Sequence, residues 1–142
     1  MIVETNSPKE TFDLGVSFGR KAKSGQVIGL VGELGVGKTI FTQGFAKGLG
    51  IEEIVNSPTF MIVQEYHTGR LAFNHFDVYR IGDVEELEEI GFDEYLFNGG
   101  VTLIEWSDLI EENMPLVYTK VEIIKNVDKG FDYREIKIEK IG

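Results

Sequence analysis

The amino-acid sequence predicts an α/β fold, in which a mixed β-sheet of about seven strands is flanked by helices. Continuous apolar runs at residues 26–31 and 101–106 are typical of parallel strands that are buried on both faces. Near residues 117–123 apolar and polar residues alternate, which is typical of an antiparallel hairpin with one exposed face. Both patterns occur in a chain of 142 residues, so we expect one domain over residues 1–142.

Helix signals surround the first apolar run. A capping-box pattern in residues 7–10 predicts a helix over residues 8–23. The strand at residues 26–31 follows, and a glycine-rich turn leads to apolar residues at helical spacing. These predict a second helix from Lys38, with Gly48 as part of its stop signal.

The middle of the chain predicts a hairpin and then a broken helix. Residues 59–66 and 71–79 are strand candidates that a short turn separates, which indicates an antiparallel pair. A helix is expected within residues 83–96, interrupted near Gly91. After the strand at residues 101–106, a second hairpin is expected across a turn at residues 128–130.

The composition excludes several classes of protein. Hydrophobic residues make up 42% of the chain and charged residues 27%, so the chain can bury a core. The net charge of -10 argues against direct binding to DNA or RNA. Without cysteine, disulfides and thiolate metal sites are excluded. No apolar stretch approaches the roughly 18 residues that span a bilayer, so we expect an intracellular, cytoplasmic protein with no membrane contact.

A glycine-rich segment at residues 32–39, named here the glycine loop, fits the pattern G-x-x-x-x-G-K-[ST] without a gap. Glycines let the backbone curl until its amides point at phosphate oxygens, and the next helix adds the positive end of its dipole. Lys38 is expected to reach the outer phosphates and Thr39 to ligate Mg²⁺. The sequence therefore predicts a P-loop that binds a nucleotide. Its residues are Gly32, Glu33, Leu34, Gly35, Val36, Gly37, Lys38 and Thr39.

Two acidic residues close predicted strands. Asp77 ends the strand in residues 71–79, and Glu105 ends the run VTLIE. A P-loop needs a carboxylate near the metal, and strand ends gather around the phosphate loop in an open α/β sheet. Each acid could instead cap the following turn. The sequence also leaves open which of the two holds Mg²⁺ and which orients the attacking water.

Three other features carry weaker signals. Residues 57–60, with the sequence SPTF, lie where a switch loop could offer the Thr59 hydroxyl to the γ-phosphate. Without the preceding P-loop pattern, a proline turn that enters a strand would be the favoured interpretation. His75 is interpreted as structural, because no second histidine accompanies it at metal-ligand spacing. Trp106 is either a core residue or an exposed platform.

An acidic segment lies in the predicted broken helix. Seven acids fall within twelve residues with no base among them, and like charges at helical spacing cost stability. Such runs are usually solvated helix faces, but a basic partner surface is also plausible. The acids are Asp83, Glu85, Glu86, Glu88, Glu89, Asp93 and Glu94.

Together these motifs resemble the bacterial TsaE (YjeE) family, the small ATPase of tRNA threonylcarbamoyladenosine synthesis. The resemblance runs from about residue 7 to residue 106 in a distinctive order: GELGVGKT, SPTF, HFDVYR, EELEEIGFDEYL and LIEW. Arg134, which precedes the alternating Ile136 and Ile138, is similar to a position that the family uses beside the nucleotide.

The resemblance implies a function and a set of roles. Residues 32–39 would form the phosphate loop, Thr39 and Glu105 the Mg²⁺ site, Asp77 an acid needed for hydrolysis, and Thr59 the switch hydroxyl. Ile40 stands where family members often carry a second hydroxyl, so only its backbone would join the nucleotide cradle. The implied activity is Mg²⁺-dependent hydrolysis of ATP while docked on the TsaD and TsaB transferase complex, with tRNA contacted only indirectly.

Two other functions compete with this interpretation. A small-molecule kinase also begins with a strand, a P-loop and a helix, but it usually adds a mobile lid with arginines. The four arginines of this chain are scattered, and its second half is rich in strands. A nucleotide-binding scaffold that never hydrolyses is disfavoured by the strand-end acids Asp77 and Glu105.

Overall fold

The computed structural model describes residues 1–56, 58 and 62–142, and the strands of these residues form one sheet. The strands are β1 (Ile2–Thr5), β2 (Val27–Gly32), β3 (Val63–Tyr66), β4 (Phe73–Asp77), β5 (Val101–Glu105), β6 (Tyr118–Lys125) and β7 (Arg134–Ile141). The α-helices are α1 (Pro8–Lys21), α2 (Lys38–Gly48), α3 (Glu85–Glu89) and α4 (Phe92–Leu96), with short 3-10 helices at Ser107–Asn113 and Val127–Lys129.

The seven described strands lie in the order β1-β7-β6-β2-β5-β4-β3. Strand β2 is parallel to both β5 and β6, and β4 is parallel to β5. The hairpins β3–β4 and β6–β7 and the pair β1–β7 are antiparallel. The predicted mixed sheet, parallel around the glycine loop and antiparallel at both sides, is therefore confirmed.

Helices cover both faces of the sheet. On one face, α1 and α2 pack on the apolar residues of the central strands, with Phe41 and Phe45 of α2 fully buried. On the other face, α3, α4 and the 3-10 helix Ser107–Asn113 pack on Phe76 and Ile104. The alternation along β5 explains both layers, because Leu103 belongs to the first cluster and its neighbour Ile104 to the second.

The interface between α1 and α2 is formed by glycines. A Cβ atom at Gly44 would lie 2.1 Å from the carbonyl oxygen of Phe12, and one at Gly15 would lie 2.3 Å from that of Phe41. Neither contact leaves room for a side chain, so the two helix backbones touch. Since α2 begins at Lys38, this contact fixes the helix that carries the end of the glycine loop.

Several predicted boundaries shift by one to a few residues. The Ser7 hydroxyl accepts a bond from the Glu10 amide at 3.1 Å, as the capping pattern requires, but α1 ends at Lys21 because Ala22 is extended. Gly91 separates α3 from α4 with a φ of 76°, as predicted. The interruption follows from its left-handed backbone, which no helix accommodates.

Two elements differ from the sequence-based expectation. Strand β1, which the sequence patterns did not identify, pairs with β7 at the edge of the sheet. The connection of the second hairpin is longer than the predicted turn at 128–130, since β6 ends at Lys125 and β7 begins at Arg134. No helix in the described part of the chain is long and apolar enough to cross a membrane.

Candidate functional site

The glycine loop connects β2 to α2 and has the backbone that its glycines allow. Gly35 and Gly37 have φ values of 77° and 111°, a region that L side chains rarely adopt. A Cβ at Gly32 would lie 2.8 Å from Val36 Cγ1 and 2.9 Å from the Ile123 carbonyl oxygen. The loop is therefore packed against β6 at its start and curled near its end.

Lys38 folds back over the glycine loop. Its ammonium donates to the carbonyl oxygens of Gly32 and Glu33 at 2.5 and 2.7 Å, and it lies 3.9 Å from the centre of the Trp106 ring. Burial lowers the pKa of this ammonium, although the carboxylates of Glu105 and Asp77 oppose that effect. The ammonium thus lies inside the loop, and the two carboxylates offset only part of the effect of burial on its pKa.

The two strand-end acids face each other across neighbouring strands. Asp77 of β4 is paired in register with Glu105 of β5, and Glu105 is paired with Leu30 of β2. Burial raises the pKa of the Asp77 carboxyl, and the nearby Glu105 carboxylate also raises it. The hydrogen bond that Asp77 accepts from the Tyr79 amide acts in the opposite direction without cancelling the rise. The predicted position of both acids at the strand ends beside the glycine loop is confirmed.

His75 lies on the same face of β4 as Asp77. Its ring is fully buried, and Nε2 is 2.5 Å from Glu105 Oε2. The ring is nearly parallel to that of Phe73, with centroids 5.9 Å apart. The sequence indicated only a structural residue here, whereas the structure links His75 to a predicted site carboxylate.

Trp106 follows Glu105 directly and turns out of the sheet. Its φ of 65° is the only positive value among the described non-glycine residues, and its ring lies 4.6 Å from that of Tyr79. The side chain packs partly on the core beside Phe76 and Ile104 and partly faces Lys38. It therefore combines the two alternatives that the sequence left open.

Arg134 reaches the glycine loop from the start of β7. Its Nε donates to the Val36 carbonyl at 2.7 Å, and its Nη1 donates to the carbonyls of Phe131 and Tyr133 at 3.0 and 2.7 Å. These bonds hold the guanidinium in a fixed place beside the loop. Arg134, for which the resemblance implies a place beside the nucleotide, thus lies against the glycine loop.

The remaining predicted residues have simple placements. Thr39 and Ile40 are half-buried in the first turn of α2, and the side chains of Glu33 and Leu34 are exposed at the outside of the loop. Thr59, the predicted switch hydroxyl, and the neighbouring Ser57 lie outside the described residues.

The donor set suits Mg²⁺ together with phosphate. Carboxylate and hydroxyl oxygens are the ligands that Mg²⁺ prefers, and it usually takes one or two carboxylates while keeping waters and substrate phosphates. In the described part of the chain there is no group of three or more His, Asp or Glu residues that could hold a metal ion by itself. Burial and, as a smaller cause, the nearby Glu105 raise the pKa of Asp77, and a cation beside the two carboxylates would counter both effects.

Sequence reasoning did not assign His75, Tyr79 or Trp106 to the site. A signal for His75 was present, because residues two apart on a strand share a face and His75 stands two before Asp77. To interpret this signal one must know that Asp77 lies opposite Glu105 in the sheet, and a single sequence does not give this strand pairing.

Known proteins resemble the chain over nearly its whole length. The family model "Threonylcarbamoyl adenosine biosynthesis protein TsaE" matches residues 5–136. The tRNA threonylcarbamoyladenosine biosynthesis protein TsaE of Bacillus subtilis is 48% identical over 97% of this chain and 84% of its own length. Its namesake in Treponema pallidum is 40% identical over 78% of this chain and 82% of its own.

A solved structure confirms the predicted fold class. The crystal structure of YdiB from Bacillus subtilis superposes with a TM-score of 0.83 and 39% sequence identity, covering 100% of this chain and 86% of that one. At this similarity the mixed sheet flanked by helices is a P-loop NTPase-like fold.

Proposed function

The chain belongs to the TsaE family, and from this premise we propose that it binds and hydrolyses Mg-ATP as an accessory subunit of tRNA threonylcarbamoyladenosine synthesis. The family connects the chain to this biosynthesis through the names of its relatives. One observation carries the ATPase proposal. The glycine loop holds a buried ammonium beside two carboxylates that end neighbouring strands.

The glycine loop would bind the phosphates. Lys38 donates to two carbonyls of its own loop, and we expect it to exchange these for the outer phosphate oxygens of ATP. The negative phosphate charge would then offset the cost of burying the ammonium, which is the effect that lowers its pKa. The amino end of α2 adds backbone amides and the positive end of the helix dipole.

The strand-end acids and Thr39 would serve the metal and the water. Thr39 and Glu105 are the proposed Mg²⁺ ligands, and bound Mg²⁺ would neutralise charge on the transferred phosphate. Asp77, whose carboxyl is half-buried and accepts a hydrogen bond from the Tyr79 amide, would orient the attacking water. Thr59 remains the proposed switch hydroxyl from the sequence.

The partner would be the transferase complex of TsaD and TsaB-like proteins, which meets the tRNA. A chain at a net charge of -10 is poorly suited to bind tRNA directly, which supports indirect contact. Arg134, the arginine beside the glycine loop, is engaged with three backbone carbonyls. A charge that stabilises the γ-phosphate is often supplied in trans, so we expect slow hydrolysis alone and faster hydrolysis in the complex.

The experiment measures phosphate release from ATP and Mg²⁺ with the full-length protein, alone and with TsaD and TsaB. No acceptor substrate is added, so a kinase would release no phosphate. We expect low activity alone, a clear increase with the partners, and near-complete loss in Glu105→Gln with nucleotide binding retained. Glu139→Gln, an exposed acid on β7, is the matched control and should behave as the unmodified protein.

Three results would contradict the proposal in whole or in part. Absence of ATP binding would reject the nucleotide site as a whole. Binding without any hydrolysis, even with both partners present, would favour the non-hydrolysing scaffold instead. Equal rates with and without the partners would retain the ATPase but reject its activation.

A further inference from the structure

A buried histidine lies against a proposed metal ligand and has no assigned role. His75 is 0% exposed, and its Nε2 is 2.5 Å from Glu105 Oε2. The second ring nitrogen, Nδ1, is buried and finds no hydrogen-bond partner in residues 1–56, 58 and 62–142. The ring therefore makes its described polar contact only through Nε2.

The fold alone does not account for a polar residue at this place. Two neighbours of His75 on the same face of the sheet are apolar, namely Phe73 two residues before it and Leu103 opposite it on β5, whereas Gln64 opposite it on β3 makes no described hydrogen bond to the ring. Burying a polar pair costs free energy that an apolar side chain would not. A leucine or phenylalanine would fill the space at lower cost, so the polar ring requires another reason.

The strand register supplies that reason. Asp77 stands opposite Glu105, and His75 stands two residues before Asp77 on the same face. From there the ring reaches forward and holds one oxygen of the Glu105 carboxylate. A carboxylate at a strand end has several rotamers, and a hydrogen bond from a rigid buried ring selects one of them.

We propose that His75 is a positioning residue that donates its Nε2–H to Glu105 and fixes this carboxylate in the orientation that receives Mg²⁺. This inference rests on the proposed function, in which Glu105 ligates the metal. His75 contacts neither nucleotide nor metal and acts through Glu105 alone.

The bond determines which ring nitrogen carries the proton. A proton on Nε2 points at the carboxylate oxygen 2.5 Å away, whereas a bare Nε2 would set one lone pair against another. The opposite tautomer would also leave a buried N–H at Nδ1 with no described acceptor. The proposed hydrogen bond therefore requires the Nε2–H tautomer.

Nitrogen NMR of the unmodified protein tests this bond without any nucleotide. The chain has two histidines, so ¹⁵N-histidine labelling gives two ring systems, and exposed His67 is the internal control. We expect His75 to show a protonated Nε2 that exchanges slowly with water, while the ring protons of His67 exchange fast. A His75 ring protonated at Nδ1 instead would overturn the proposal.

A second experiment measures the effect of His75 on the metal. The affinity for the ATP analogue AMP-PNP is titrated with Mg²⁺ and again with EDTA, using the fluorescence of the single tryptophan, Trp106, which lies beside Lys38. The ratio of the two affinities isolates the contribution of the metal. His75→Phe keeps the ring and its stacking on Phe73 but removes the donor, and His75→Gln restores an N–H near the position of Nε2.

The expected pattern separates positioning from general damage. In His75→Phe the Mg²⁺-dependent gain in AMP-PNP affinity should fall about tenfold, which is the usual effect of losing a hydrogen bond to a metal ligand. The affinity in EDTA should stay unchanged. His75→Gln should keep most of the gain, and Glu105→Gln should lose it.

Each other outcome is decisive. An undiminished gain in His75→Phe, or equal losses in both His75 variants, would reject the positioning role while leaving the ATPase proposal intact. If the unmodified protein itself gained nothing from Mg²⁺, the metal site would fail and the inference with it. Should His75→Phe not fold, the comparison of His75→Gln with the unmodified protein and the NMR result still decide.

Discussion

Replacing Gly44 with alanine should destabilise the protein, although alanine is the better helix former. A Cβ atom at this position would lie 2.1 Å from the carbonyl oxygen of Phe12, a distance that Cβ atoms essentially never show. The obstacle is the backbone of α1 and not the end of a flexible side chain, so it cannot turn away. The Cβ atom and this oxygen must move apart from 2.1 Å to at least 3.4 Å to reach ordinary contact, so the two helices must separate by more than 1 Å.

The two opposing effects differ in size. Helix propensity favours alanine over glycine by about 1 kcal/mol. Overpacking a tight interface costs roughly 1–3 kcal/mol and more where backbone must move. We expect a net loss of about 1–2 kcal/mol in the free energy of unfolding, which for a chain of this size lowers the Tm by roughly 3–8 °C.

Urea unfolding followed by Trp106 fluorescence, together with thermal unfolding by circular dichroism, measures the change. Lys47→Ala, an exposed substitution on the same helix, is the control and should leave both values nearly unchanged. An unchanged or higher Tm for Gly44→Ala would refute the reasoning, because helix propensity would then outweigh the backbone contact.

Removing the ammonium in Lys38→Ala should abolish AMP-PNP binding in a fluorescence titration, and retained affinity would exclude it from the phosphate site. Asp77→Asn should slow phosphate release yet raise the free energy of unfolding at pH 7 without nucleotide, because a raised pKa means that the fold disfavours the charged carboxyl. This gain should shrink as the pH falls through the raised pKa and vanish below the ordinary value of 3.8; a gain that did not depend on pH would contradict the cause. Replacing Glu85, Glu86 and Glu89 with lysine should slow association with the TsaD and TsaB complex, as measured by surface plasmon resonance. Added salt should slow the association of the unmodified protein as well. Undiminished binding by the triple variant would exclude this helix from docking.

The parts of the fold that the sequence predicted are those whose burial leaves a local pattern. Strands β2 and β5 are covered on both faces, so each is a continuous apolar run. Strand β1 has four residues at the edge of the sheet, and its partner β7 lies at the other end of the chain. Its stability depends on that distant pairing, which no local pattern reports.

The same distinction applies to the site. The glycine loop is contiguous, so its residue types and spacing were enough to predict it. The contact between His75 and Glu105 joins two strands and depends on their register, and the same holds for the bonds from Arg134 to the loop. Chemistry that lies within one segment was predictable, whereas chemistry between segments required the fold.

The pairing of β1 with β7 has a consequence for how the protein is made. Strand β1 is synthesised before every other described strand, whereas its partner β7, which opposes Val3 with Ile136, follows all of them. Contacts of such large sequence separation form slowly, and β1 must wait without its hydrogen-bond partner until then. Arg134 is the first residue of β7, so its bond to Val36 in the glycine loop also awaits this strand. In a growing chain this contact between β7 and the glycine loop therefore forms only after α1, α2 and the inner strands have been synthesised.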